Sequence, residues 1–161
     1  MDEYVNICKA LADKTRLRIM WLLKKAEAGL CVCEITDALH ASQYNISRHL
    51  KELKIAGLIQ DHKQGRWNFY ALASSSSPFQ QFILQAIATL SDEVLDLDYA
   101  RLQQRLALRE NETCVVGVNS DTWRTISRQF MTQGGTSDVS QRSTIACGST
   151  WSQAEHERGK L

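Results

Sequence analysis

Ser42-Gln43-Tyr44-Asn45-Ile46-Ser47-Arg48-His49-Leu50-Lys51-Glu52-Leu53-Lys54-Ile55-Ala56-Gly57 decides how this chain folds. Ile46, Leu50 and Leu53 recur at i, i+4 and i+7, within one narrow arc of a helix, so they point inward. At about 100° per residue, Tyr44, Arg48 and Lys51 fall on the opposite side, with Gln43, Asn45 and Ser47 flanking them near the helix start. Ser42 supplies an N-cap and Gly57 a left-handed stop. The stretch is a helix with an apolar inner face and a polar, cationic outer face that suits an anionic partner.

Upstream, Val5 to Ala12 and Thr15 to Lys25 have helical spacing, with Asp13 as a cap between them and Leu17, Met20 and Leu23 on one stripe. After Gly29, Cys33 to Leu39 places Ile35, Ala38 and Leu39 on a short helix that His40-Ala41-Ser42 interrupts. Downstream, residues 58–63 and 66–72 read as strands of a tight hairpin around Gln64-Gly65, with Trp67, Phe69 and Tyr70 on the return limb. Helix, short turn, helix and basic-tipped hairpin make a winged helix-turn-helix, mainly α with one small β-hairpin. Ser77-Pro78 then starts a long helix on which Phe79, Phe82, Ile83, Ala86, Ile87, Leu90 and Val94 form an apolar stripe. That is more surface than a small domain buries alone, so self-association through Phe79, Phe82, Ile83, Ile87 and Leu90 is the expected outlet. A further short helix is predicted over Tyr99 to Arg109. The domain is placed at residues 1–118, and residues 119–161, rich in Ser, Thr, Gln and Gly, are predicted to be a largely disordered tail.

At 161 residues, with 43% hydrophobic and 23% charged side chains, the chain suits one compact domain plus an appendage. The net charge of +1 conceals a segregation. Residues 1–72 carry 11 basic and 8 acidic side chains, whereas residues 73–118 carry 3 and 6. Within 41–70, Arg48, Lys51, Lys54, Lys63 and Arg66 face only Glu52 and Asp61. No apolar run is long enough to span a bilayer and the first residues are acidic, so a cytoplasmic protein without membrane contact is expected. Five cysteines, an odd number, argue against a disulfide scaffold. Catalysis has no visible apparatus: no cysteine is followed six residues later by arginine, and neither a Cys-x-x-Cys pair nor a Gly-rich phosphate loop occurs.

Four segments together carry a specific resemblance: residues 9–19, Leu30-Cys31-Val32-Cys33-Glu34-Ile35, residues 42–53, and Gly65-Arg66-Trp67. They resemble, in order and spacing over roughly 4–116, the ArsR/SmtB family of bacterial metal- and metalloid-responsive repressors. The resemblance implies a homodimer on a pseudo-palindromic double-stranded operator, with the 42–56 helix of each copy in the major groove. Gln43, Tyr44, Ser47 and Arg48 are then expected to read base edges or adjacent phosphates, and Lys51 to touch the backbone. Arg66 at the wing tip suits a phosphate or the minor groove, supported by Lys63. His49 lies nearer the core and is read as structural.

Cys31 and Cys33 cannot reach one ion from an ideal helix, where i and i+2 lie about 200° apart. In an extended or frayed first turn they face the same way. Binding one soft ion through both thiolates therefore pulls against the start of the 33–39 helix, beside the recognition helix. The family uses a Cys-x-Cys pair here in arsenic/antimony sensors and in cadmium/lead sensors. The further cysteine common in the arsenic motif is replaced by Thr36 and Asp37, and Cys114 is the best substitute, in the same subunit or across a dimer. Three thiolates suit As(III) or Sb(III), with no organic cofactor, although soft divalent ions also accept such sites. The zinc route is disfavoured because residues 79–94 contain no histidine. A thiol redox switch of the same fold is the other alternative, and it would pair Cys31 or Cys33 with Cys114. Cys8 is read as core packing and Cys147 as incidental.

Overall fold

The computed structural model describes residues 1–26, 29–74, 77–111, 113–118 and 120–132. In chain order the elements are α1 (Asp2–Leu11), α2 (Lys14–Ala26), β1 (Leu30–Cys31), α3 (Val32–Leu39), α4 (Gln43–Ile55), β2 (Ile59–Gln64), β3 (Trp67–Leu72), α5 (Pro78–Ala88), α6 (Glu93–Leu106) and α7 (Asp121–Thr132). The mainly helical winged helix-turn-helix expected from the pattern is present. The sheet has one strand more than the hairpin, in the order β1-β3-β2, all antiparallel. β1 is short but consequential, because pairing Cys31 with Phe69 ties the start of α3 to the wing.

Helix α4 forms as its periodicity requires. Ser42 is extended and accepts from the Asn45 N–H, and Ile46, Leu50 and Leu53 are wholly buried. Gly57, at φ +70, closes the helix with Leu58 N–H to Leu53 O and Gly57 N–H to Lys54 O, the paired bonds of a Schellman stop. Truncating Leu50 to alanine would cost about 2–5 kcal/mol by opening a cavity beneath the outer face. In the hairpin, Gln64 pairs with Trp67, so Gly65 and Arg66 form the turn, one residue later than the expected centre. Gly65 takes φ +61, a conformation that glycine supplies without strain.

Three expectations are corrected. The long helix over 79–94 is two helices, α5 and α6. Asp92 caps α6 through the Val94 N–H, and Trp21 donates its indole N–H to the Leu90 carbonyl, fixing the corner between them. As a result Ile87 packs into the core of its own chain, while Phe79 and Ile83 pack partly against it and Phe82 and Leu90 remain exposed. Cys8 is exposed rather than core, because the inward positions of α1 are Ile7 and Ala10. The polar segment after 119 is not uniformly unstructured: Asp121–Thr132 forms α7, whose Trp123 is buried. The remainder of the expected tail, with Cys147, lies outside the described residues.

Candidate metal centre and nucleic-acid interface

Cys31 is the N-cap of α3, with φ −80 and ψ 160, and Cys33 lies in the first turn. One extended residue followed by a helical one lets the two sulfurs converge without unwinding the helix. Cys114 joins them from the segment after α6, and the three Sγ atoms all lie within 4.8 Å of one another. All three residues are buried, together with Phe69 and against Trp67 and Val118. The cluster of sulfurs is thus within one chain, in an environment from which water is largely excluded.

Charged side chains that sequence reasoning missed surround the sulfurs. Glu34 is buried and accepts from the Cys31 N–H at 2.8 Å, while the Cys31 sulfur accepts from the Glu34 N–H, a reciprocal capping box. Arg109 holds the same carboxylate with two hydrogen bonds of 2.7 and 2.8 Å and also donates to the Gly29 carbonyl. Arg105, fully buried, donates from Nε to Asp37 at 2.9 Å and from Nη2 to Val116 O, with Nη2 3.8 Å from Cys114 Sγ. Its guanidinium lies 6.0 Å from the Trp123 ring centroid, so α7 covers the cation. Two turns before Arg105 on α6, the buried Asp98 takes two hydrogen bonds from Arg18 of α2. The only trace these charges leave in the sequence is spacing, with Asp98 and Arg105 two turns apart on one side of α6 and Arg109 four residues further on, just past its end.

This setting divides the thiols. Hydrogen bonds from the Cys31 and Cys33 thiols, aided by the Arg105 guanidinium, hold Cys114 down at about 3 against the effect of burial. Hydrogen bonding to Cys114 pushes Cys33 up to about 11, and burial adds to it. Cys31 moves upward for the same reasons, with Cys114 the largest influence. The resting cluster therefore carries one thiolate and two thiols. Three buried sulfur donors, one already ionised, fit a soft, thiophilic ion.

On the opposite side of the helix-turn-helix, Gln43, Tyr44, Ser47, Arg48 and Lys51 on α4 and Lys63 and Arg66 on the wing are all exposed. The Arg48 guanidinium lies 5.8 Å from the Tyr44 ring centroid, and that of Arg66 4.8 Å from Trp67, so both cations rest on aromatic faces without being neutralised by them. His49 is partly buried, with Nδ1 3.7 Å from Asp13. Among the described residues no helix is long and apolar enough to cross a membrane.

Residues 13–61 match the family model described as bacterial regulatory protein, arsR family. The arsenic resistance transcriptional regulator ArsR1 of Pseudomonas putida is 41% identical over 98 residues, covering 61% of this chain and 76% of that protein. The arsenical resistance operon repressor of Escherichia coli is 50% identical over 70 residues, 43% of this chain and 58% of its own length. Among solved structures, the homodimeric winged helix-turn-helix domain of Mb0332 from Mycobacterium bovis is 28% identical with a TM-score of 0.46, covering 56% of this chain and 83% of that one. The two curated relatives are regulators of transcription rather than enzymes. With residues 13–61 matched by the family model and three-quarters of a curated regulator spanned at 41% identity, the chain belongs to the ArsR family of bacterial transcriptional regulators.

Proposed function

We propose that this protein is a homodimeric repressor that binds operator DNA and leaves it when As(III) or Sb(III) is held by Cys31, Cys33 and Cys114. The observation that carries the reading is the convergence of three buried sulfurs within 4.8 Å, with no carboxylate or imidazole in the ligand group. A trivalent metalloid supplies three bonds to thiolate sulfur and takes the charge of all three. The names of the Pseudomonas putida and Escherichia coli relatives point to the same class of inducer.

Release follows from what Cys31 does in its free state. Its sulfur accepts the Glu34 N–H and so caps α3, the first helix of the DNA-binding unit. A sulfur committed to a metalloid is a poorer acceptor, and the cap it gives up is of the kind whose loss costs about 0.5–2 kcal/mol. The inducer thus favours an arrangement with a loosened α3 start, and that difference in affinity between two states is what any inducer requires. α3 packs against α4, so the change reaches Gln43, Tyr44, Ser47 and Arg48, which we read as the base- and phosphate-contacting set, together with Lys51, Lys63 and Arg66. Dimerisation is supported by the exposure of Phe82 (69%), Val94 (50%) and Tyr4 (44%), large apolar side chains of α5, α6 and α1.

The test is operator binding by fluorescence anisotropy under reducing conditions, titrated with arsenite, antimonite, cadmium and zinc. Arsenite or antimonite should release the wild type. Cys31→Ser, which keeps a capping oxygen, should bind the operator within about threefold of wild type and no longer respond. Release of that variant by arsenite at wild-type concentration would remove Cys31 from the site. Release of the wild type by cadmium alone would favour a divalent-metal sensor.

A further inference from the structure

Arg105 presents different nitrogens to two anionic partners. Nη2 stands 3.8 Å from Cys114 Sγ, Nε stands 2.9 Å from Asp37 Oδ2, and among the described residues Nη1 has no hydrogen-bond partner. The residue is fully buried, and a guanidinium does not give up its proton inside a protein, so its charge persists whatever the sulfurs hold. The companion pair behaves differently. Arg109 is taken by both oxygens of the buried Glu34, which closes it as a neutral unit. Arg105 thus leaves part of its charge turned toward sulfur.

That charge treats two classes of ion differently. Three thiolates around a trivalent metalloid form a neutral complex, whereas three thiolates around a soft divalent cation keep one negative charge. Charges removed from water act on each other far more strongly than at a surface. We propose that Arg105 is a specificity-determining residue of the three-sulfur site, stabilising the anionic complex of a soft divalent cation relative to the neutral complex of a trivalent metalloid. The site is therefore open to cadmium-like ions as well as to arsenite, in a proportion set by how far Asp37 occupies the guanidinium. This inference rests on Cys31, Cys33 and Cys114 acting as one ligand set.

The test uses the full chain and measures cadmium and arsenite affinities from sulfur-to-metal charge-transfer absorbance in the ultraviolet, independently of DNA. Arg105→Gln should weaken cadmium relative to arsenite by about tenfold. Asp37→Asn keeps the cation and frees it from its carboxylate, so it should shift the ratio toward cadmium, the opposite direction. Circular dichroism checks the fold of both variants. If Arg105→Gln does not fold, Asp37→Asn decides alone, and a ratio that stays put or moves toward arsenite overturns the inference. Equal weakening of both ions by Arg105→Gln also overturns it while leaving the ligand set intact. If the wild type gives no thiolate band with either ion, the ligand set fails and the inference falls with it.

Discussion

The two helices of the DNA-binding unit are built on opposite terms. In α3 every residue but Val32 is buried, and its N-terminus is capped by a cysteine and by a glutamate that is also ion-paired with Arg109, just beyond α6. In α4 only Ile46, Leu50 and Leu53 are buried, its cap is the exposed Ser42, and its outer face is free. On the function proposed above, the difference separates sensing from reading: the sulfurs would act on a helix that is buried except at Val32, and that helix packs against the one that faces outward. A change at the start of α3 is then costly locally and is felt by its neighbour.

The comparison breaks most severely at Glu34. Glu34→Ala removes the reciprocal cap and leaves the Arg109 cation, 14% exposed, without its carboxylate. Orphaning a buried charge in this way costs about 3–5 kcal/mol, so the urea midpoint should fall sharply, whereas an unchanged midpoint would show that the α3 network contributes little. On α4 the expectation reverses. Arg48→Ala should weaken operator binding by about 1–3 kcal/mol and move folding stability by no more than about 0.5 kcal/mol, since the side chain is exposed. Equal operator affinity for variant and wild type would take Arg48 out of the reading surface.

A finer test counts protons. Between about pH 3, where Cys114 ionises, and about pH 11, where Cys33 does, the cluster holds one thiolate and two thiols. Neutral arsenious acid has three hydroxyls to lose as water, and two thiols supply only two of the protons needed. Binding should therefore take up one proton from solution, and arsenite affinity should fall about tenfold, or 1.4 kcal/mol, per unit rise in pH near neutrality. A divalent cation releases two protons instead, so its affinity should rise with pH. Calorimetry in buffers of different ionisation heat measures both changes, and arsenite binding with no net proton uptake would mean that Cys114 rests as a thiol, since three thiols supply all three protons that the departing hydroxyls need.

Much of this was legible in the sequence, for reasons that differ by element. Ile46, Leu50 and Leu53 with Ser42 and Gly57 specify α4 locally, and Gly65 between β-prone strands specifies the wing, because periodicity and turn chemistry act over a few residues. The pairing of Cys31 with Cys33 was legible because an extended residue ahead of a helix lets i and i+2 converge. Arg105, Arg109 and Asp98 were not, since charged residues on a helix ordinarily face water and only tertiary packing reveals their partners. Asp92 was overlooked as a cap because the apolar stripe runs through it, so two helices read as one. Trp123 was lost in a polar segment, and its burial depends on Arg105, nearly twenty residues away.

The central claim is that three sulfurs of one chain form a single site, and X-ray absorption at the arsenic edge of the arsenite-loaded protein tests it most directly. Three sulfur neighbours and no oxygen are expected in the wild type, and two sulfurs with one oxygen in Cys114→Ser. A wild-type spectrum with two sulfurs and one oxygen, unchanged in Cys114→Ser, would contradict the account.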